Sequence, residues 1–265
     1  MKLTKSILIV LLTSAAVLAQ GPPPGGGPGR GFGGRMAGPG GFGGGPRGHK
    51  VVTGAPYTAD LNVTQTRTLA DGNTIQHTMS GKVARDASGR TYSMETFNGG
   101  PLGQTGPTTR ISIFDPVAGY SYELDSVAKT ATRRAIHVPP AGMWNNAEKP
   151  ANPNLVKADL GTQMVNGVNA QGTSTTRTIP AGAMGNAKPI VSTSEVWYSS
   201  DLQTVVSSKF SDPRGGDSVM ALTNIQKSAD PSLFQVPAGY TVTDAPKGGR
   251  GQFGRMGMPP PPPQE

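Results

Sequence analysis

The chain contains no cysteine and only three histidines, His49, His77 and His137, among its 265 residues. Without cysteine, disulfides, thiolate metal sites, cysteine nucleophiles and lipidation at a lipobox are excluded. The histidines show neither HExxH nor H-x-H spacing, so we expect no metal site. The G-x-S-x-G and P-loop motifs are missing as well. The sequence therefore predicts no cofactor and no catalytic residue, and we expect a protein that is not an enzyme.

Long apolar runs are scarce too, because a single stretch, 6–18, is almost wholly apolar. It follows Lys2 and Lys5 and ends at the small residue Ala19, which is the layout of a cleavable signal peptide over 1–19. The stretch is too short to span a bilayer, which takes about 20 apolar residues. Cleavage removes two lysines and lowers the formal net charge from +8 to +6. We expect a periplasmic or secreted protein of the cell envelope with no transmembrane segment after cleavage.

Glycine and proline dominate the segments 20–50 and 243–265. Such low-complexity segments bury too little apolar surface to offset chain entropy, so we expect disordered tails on both sides of the folded region. Both tails are basic, and a basic tail can make weak contact with an anionic surface. A flexible, soluble spacer without a specific partner is the alternative. No specific binding of nucleic acid is expected, because export takes the chain away from it.

Between the tails, residues 51–242 alternate between apolar and polar with a period of two, as half-buried strands do. Turn residues recur about every 8–14 positions, and no segment has a sustained helical period. The sequence therefore predicts an all-β domain built as a single curved antiparallel sheet or half-open barrel of about eleven strands. The predicted strands are 58–69, 74–86, 90–97, 110–115, 119–125, 129–136, 160–165, 168–179, 190–199, 202–211 and 217–227.

Several connections have clear signatures. Asn166 and Gly167 form a strong two-residue hairpin signal. The segments 115–119 and 212–216 each combine an aspartate, a proline and a glycine in a turn pattern, which predicts two similar hairpins. The proline-rich stretch 138–158 is interpreted as a long loop or lid, and 230–234 as one helical turn.

Four sequence segments carry a resemblance to a known family: 115–125, 196–203, 222–225 and 231–240. They resemble a group of uncharacterised exported β-rich proteins, which is in turn similar to the LolA/LolB-like lipoprotein carriers and the RseB N-terminal domain. The resemblance covers roughly 51–242. It implies a LolA-like curved sheet of about eleven strands with a helical lid over an apolar cavity. Here the stretch 138–158, at the place of the lid, is rich in proline.

The first functional hypothesis is a non-enzymatic envelope protein that binds a hydrophobic ligand, an acyl chain or a peptide, on the concave face of the sheet. Large apolar residues on predicted strands are the candidate lining, and an ordinary core is the alternative interpretation of the same residues. The candidates are Met79, Met94, Tyr122, Trp197, Phe210 and Met220.

Two other hypotheses remain open. The domain could be a structural or protein-interaction module whose basic Gly/Arg/Pro-rich tails or loop 138–158 contact an envelope protein. It could also be a hydrolase of an envelope polymer, with Glu195 as an acid or base beside Trp197.

Overall fold

The structure, a computed structural model, describes residues 51–98, 106–136 and 152–246. The predicted signal peptide, the segment 20–50, most of the loop 138–158 and the C-terminal tail from 247 lie outside the described residues. The described part contains twelve strands. They are β1 Tyr57–Thr68, β2 Thr74–Arg85, β3 Thr91–Asn98, β4 Thr108–Asp115, β5 Tyr120–Asp125, β6 Thr130–Ala135, β7 Leu155–Val165, β8 Val168–Ile179, β9 Ile190–Ser199, β10 Thr204–Asp212, β11 Gly216–Gln226 and β12 Thr241–Asp244.

All twelve strands belong to one sheet, in the order β12-β6-β5-β4-β3-β2-β1-β11-β10-β9-β8-β7. The sheet is curved and open, with β7 at one edge and β12 at the other. The predicted all-β class and the single curved sheet are therefore confirmed. All pairs among β1 to β11 are antiparallel, whereas β12 pairs with β6 in parallel.

Strict alternation in β1 gives the sheet two different sides. Tyr57, Ala59, Leu61 and Val63 are buried, whereas the residues between them are less so. Neighbouring side chains of a strand point to opposite faces. We call the two sides the Leu61 face and the Asp60 face.

The first core cluster includes the buried residues of the Leu61 face of β1 and joins six strands. Val168 and Ala170 of β8 belong to it together with Leu61 of β1, although three strands lie between β1 and β8. The side-chain amide of Asn166, in the β7–β8 turn, donates to the carbonyl of Leu222 in β11 at 2.8 Å. This end of the sheet therefore curls over its own apolar face. The full cluster is Tyr57, Ala59, Leu61, Val63, Val83, Val168, Ala170, Trp197, Leu202, Val206 and Leu222.

The second core lies on the other side of the sheet. Cross-strand partners share a face. Ala59 pairs with Val83, and Val83 pairs with Ser93 of β3, so Ser93 is on the Leu61 face. Its neighbour Tyr92 and the partner Ile113 are then on the Asp60 face. The buried residues of the second core are Ile113, Leu124 and Ala131. The apolar side of the sheet thus changes between β2 and β3.

A short 3-10 turn, Pro231–Phe234, helps to cover the second core. Asp230 caps it by accepting from the Ser232 amide at 2.9 Å, and Phe234 is buried. Val236 and Tyr240 then pack against the second core cluster. The helical turn predicted at 230–234 is confirmed. It forms here because Asp230 caps the turn and the ring of Pro231 fixes the first backbone φ angle.

The predicted turns form as their residues dictate. Asn166 and Gly167 both take positive φ angles, of 50° and 88°, as a two-residue hairpin requires. Asp115 accepts from the amides of Val117 and Ala118 at 2.9 Å each. Asp212 accepts from the Arg214 amide at 2.8 Å in the second hairpin.

Two strands differ from the prediction. β7 begins at Leu155 rather than at 160, and β12 adds a twelfth strand. In β7 every residue but Val165 is exposed, so no alternation marks its first half. β12 is only four residues long and pairs with a strand more than a hundred positions earlier, which local periodicity does not reveal.

Candidate functional site

Three of the six candidate lining residues, Met79, Met220 and Phe210, lie on one side of the sheet. Met79 and Met220 both pair with Val63 of β1, so they flank it on the Leu61 face. Both pack against the first core cluster. Phe210 of β10 shares this face through its partner Ser218 and is 43% exposed. Trp197, which is 9% exposed, is a member of the first core itself.

Met94 and Tyr122 lie on the Asp60 face. Met94 pairs with Lys82 and lines an open depression of about 420 Å³ with Asp60 and Asn224. Tyr122 lines a different depression, of about 410 Å³, between the 3-10 turn and the end of the sheet. The first depression is lined mostly by polar residues and the second by a mixture of polar and apolar residues, and both are open, so neither resembles an enclosed acyl-chain cavity. The structure therefore does not bring the six residues together.

A row of apolar side chains crosses four adjacent strands on the Leu61 face. Phe97 of β3 pairs with Met79, Met79 with Val63, and Val63 with Met220. We call Phe97, Met79, Val63 and Met220 the apolar row. Adjacent strands lie about 4.8 Å apart, so the row is roughly 14 Å long. It runs across the strands, along the direction in which the sheet curves.

Large apolar surface remains uncovered along the row. Phe97 itself is 37% exposed, and Ile75 and Phe210, on the same face, are 39% and 43% exposed. Ile75 pairs with Arg67, two positions beyond His77 and Gln65 and next to the turn of the β1–β2 hairpin. Clustered exposure of large apolar side chains on one face is typical of an interaction surface.

A carboxyl group lies beside the apolar row. Glu95 precedes Phe97 by two positions, so both are on the Leu61 face, and Glu95 pairs with Gly81 and Arg110. Only 8% of Glu95 is exposed. Burial raises the pKa of this carboxyl, and the positive charge of Arg110 partly opposes that effect. Glu95 can thus offer a polar end to a ligand on the row, as an acceptor when ionised and as a donor when protonated.

Gly81 allows the backbones of β2 and β3 to approach closely beside Glu95. A Cβ placed on Gly81 would lie 3.0 Å from the carbonyl carbon of Met94 and 3.1 Å from the Cα of Glu95. The backbones of β2 and β3 therefore approach too closely at this point for a larger residue. Gly81 brings the Glu95 backbone close to the middle of β2.

The carboxylate of Glu195 is engaged by the neighbouring tryptophan. The indole Nε1 of Trp197 donates to Glu195 Oε1 at 2.6 Å. The Trp197 ring also fills the space over Gly172, where a Cβ would come within 2.7 Å of it. Glu195 thus holds a core side chain in position.

Within residues 51–98, 106–136 and 152–246, no three histidine or acidic side chains come together in a way that could hold a metal ion. In the same ranges, no helix is both long and apolar enough to cross a membrane.

Phe97, Val63 and Glu95 were not recognisable as site residues in the sequence. In 90–97 the apolar Tyr92 and Met94 alternate with polar residues, and Phe97 falls in the polar phase. Alternation within the strand therefore assigns Phe97 to the solvent-exposed face. The change of apolar side between β2 and β3 reverses that assignment, and only the cross-strand register reveals it.

Comparison with known proteins gives structural relatives only. No protein-family model matches the chain. No curated protein matches it either. The MucA/MucB complex of Pseudomonas aeruginosa matches with 13% identity and a TM-score of 0.35, over 70% of this chain and 56% of that one. A LolA-superfamily protein of Nitrosomonas europaea matches with 10% identity and a TM-score of 0.29, over 68% and 90% of the two chains.

A third similar structure is the lipoprotein LppX of Mycobacterium tuberculosis, with 14% identity and a TM-score of 0.24, over 65% of this chain and 88% of that one. The matching structures thus include a LolA-superfamily protein, in line with the resemblance seen in the sequence. The chain spans little more than half the length of the MucB chain that it matches. Similarity at this distance assigns neither ligand nor partner.

Proposed function

We propose that this protein is a non-enzymatic binding protein that holds an apolar chain along the apolar row of the Leu61 face. The observation that carries the proposal is the continuous row from Phe97 to Met220, with large apolar side chains still exposed beside it. A folded protein stabilises itself by covering such surface, so what remains uncovered on a curved sheet is available to a ligand.

The ligand class follows from the shape and chemistry of the surface. A row about 14 Å long and one side chain wide fits an extended chain better than a compact ring system. Methionine side chains adapt to irregular apolar partners. The buried carboxyl of Glu95 next to Phe97 provides one polar group at the β3 end. The best match is an acyl chain of medium length, or an extended apolar peptide, that carries a hydrogen-bonding group at one end.

Binding of a fatty acid that carries an environment-sensitive fluorophore tests the proposal. The double variant Phe97→Ser with Phe210→Ser removes apolar surface beside the row. Val117→Ser is the matched control, because Val117 is 72% exposed and lies in the turn between β4 and β5, away from the apolar row. Full burial of such a side chain contributes roughly 1.5–3 kcal/mol. These two residues are already partly covered, so we expect about 1 kcal/mol in total, which is a Kd about fivefold weaker.

The control variant should bind the probe as the unmodified chain does. Absence of saturable binding to the unmodified chain would contradict the proposal. So would an equal loss of affinity in Val117→Ser and in the double variant.

We also propose that the chain is exported, with a signal peptide over 1–19, a folded domain that begins at 51 and extends through β12, and Gly/Pro-rich disordered tails. The support is the apolar stretch 6–18 behind Lys2 and Lys5. Expression in a bacterial host followed by cell fractionation and intact-mass measurement tests it. Export predicts a periplasmic or released protein that begins at Gln20. A cytoplasmic protein that retains Lys2 and Lys5 would refute it.

A further inference from the structure

The edge strand β7 is a second surface, and β8 is the only strand that pairs with it among the residues that the structure describes. It runs for eleven residues, Leu155–Val165, and pairs with β8 along one side. At its other side the sheet order ends. Every residue except Val165 is exposed, including Val156 at 62% and Met164 at 63%. A strand edge of this length, with amide and carbonyl groups that no neighbouring strand uses, is a template for pairing with another strand.

The backbone groups that β7 directs outward can be identified from its register with β8. The Thr178 amide donates to the Asn154 carbonyl at 2.9 Å, which makes 154 and 178 a hydrogen-bonded pair. Hydrogen-bonded pairs alternate with non-hydrogen-bonded pairs in an antiparallel ladder. Residues 154, 156 and 158 therefore bond to β8, whereas the amide and carbonyl groups of Lys157 and Asp159 point away from it.

The sequence around Ala158 is complementary to itself in antiparallel orientation. If Ala158 lies on a two-fold axis, Lys157 faces Asp159 of a second chain, and Asp159 faces the second chain's Lys157. The irregularity of β7 at Leu160 limits regular pairing to the residues up to Asp159. Opposite charges that face each other across a strand pair are stabilising. The outward backbone groups of Lys157 and Asp159 are the ones that such pairing requires.

We propose that β7 pairs with β7 of a second copy of this chain about a two-fold axis through Ala158. The two sheets then continue into each other at this edge, in an isologous contact. Lys157 forms no ion pair with any residue that the structure describes. Asp159 uses Oδ1 to accept from the Gly161 amide at 2.9 Å, which leaves Oδ2 for the lysine of the second copy.

The contact is expected to be weak. A single pair of short strand segments buries less surface than the roughly 1,200 Å² typical of stable complexes. The backbone hydrogen bonds and the two charge pairs give it a defined register rather than a high affinity. A test must therefore detect register, and a covalent trap does so at modest concentration.

Because the chain has no cysteine, a disulfide formed by a single introduced cysteine shows that this position lies next to its copy in a second chain. Across a two-fold axis through a non-hydrogen-bonded pair, the two Ala158 Cα atoms would be about 4.5 Å apart. That separation lies within the range of disulfides. In the full chain, Ala158→Cys should give mostly disulfide-linked dimer under mild oxidation. Val156→Cys is the control, since its two copies would lie about 13 Å apart along the strands.

Adding Lys157→Glu to Ala158→Cys places two acidic residues opposite each other and should reduce the dimer yield several-fold. Circular dichroism melting of each variant checks that the exposed substitutions leave the fold intact. Preferential cross-linking of Ala158→Cys that is lost with Lys157→Glu supports the pairing. Equal cross-linking of Ala158→Cys and Val156→Cys, no cross-linking of either, or a yield insensitive to Lys157→Glu would overturn it.

Discussion

Replacement of Arg85 by methionine tests how three chain segments beside the first core are held together. Arg85 is only 6% exposed. Its Nε and Nη2 donate to the carbonyl of Ala55 at 3.0 and 2.8 Å, and Nη2 also donates to the carbonyl of Leu202. The guanidinium lies 5.0 Å from the centre of the Tyr57 ring. One side chain thus connects the chain before β1, the end of β2 and the β9–β10 turn.

The expected loss follows from the groups left behind. Methionine fills much of the space but leaves two carbonyl oxygens without donors, at about 1–3 kcal/mol each. The lost cation–π contact adds about 1 kcal/mol. Relief from burying a charge offsets part of this, since burial lowers the pKa of Arg85. We expect a net loss of about 3 kcal/mol, which lowers Tm by roughly 6–12 °C in a domain of this size.

Thermal unfolding followed by circular dichroism measures this loss, and Arg133→Met is the matched control. Arg133 forms an ion pair with Asp244 at 2.7 Å, with side chains that are 36% and 70% exposed. Such a surface pair contributes at most about 1 kcal/mol. If Arg85→Met lowers Tm no more than Arg133→Met does, then Arg85 does not join these segments in the way described.

Three further substitutions test other parts of the structure. Burial raises the pKa of Glu95, so the stability that the protonated carboxyl contributes is complete at acidic pH and is lost as pH rises through the raised pKa. Glu95→Gln should therefore raise Tm at neutral pH but not near pH 3. Arg214 lowers the pKa of Asp212, so Asp212→Asn should reduce Tm at neutral pH, with the difference vanishing in strong acid. Gly172→Ala should lower the free energy of unfolding in urea by about 1–3 kcal/mol, because the new methyl group meets the Trp197 ring.

Each of these has a clear contrary result. A Glu95→Gln effect that is independent of pH, or largest in acid, would contradict a buried carboxyl with a raised pKa. An Asp212→Asn effect that persists in strong acid would exclude the ion pair as its cause. Unchanged stability of Gly172→Ala would mean that the tryptophan ring has room to move.

The turns and most strands could be predicted from the sequence because their signals are local. Asn166–Gly167 needs only its own backbone preference to form a hairpin, and Asp115 and Asp212 cap turns with their own neighbours. The edge strand β7 was only partly predictable, since both of its faces are exposed and its sequence has no reason to alternate.

The candidate site could not be predicted, because it depends on how strands are combined. Alternation shows that Met94 and Tyr92 share a face of β3, and that Met79 and His77 share a face of β2. It does not show that these two apolar faces lie on opposite sides of one sheet. Met79 and Met94 were therefore grouped from the sequence, while Phe97 was overlooked. Register between strands is a non-local property that single-strand patterns do not contain.

Methyl NMR of the methionines during titration with a medium-chain fatty acid tests the central proposal most directly. Met79 and Met220 lie on the apolar row, whereas Met94 lies on the opposite face of the same sheet and serves as an internal control. Binding on the row predicts saturable shifts of the Met79 and Met220 methyl signals with the Met94 signal unchanged. A Met94 signal that shifts as much as theirs, or row signals that stay in place at saturating ligand, would contradict it.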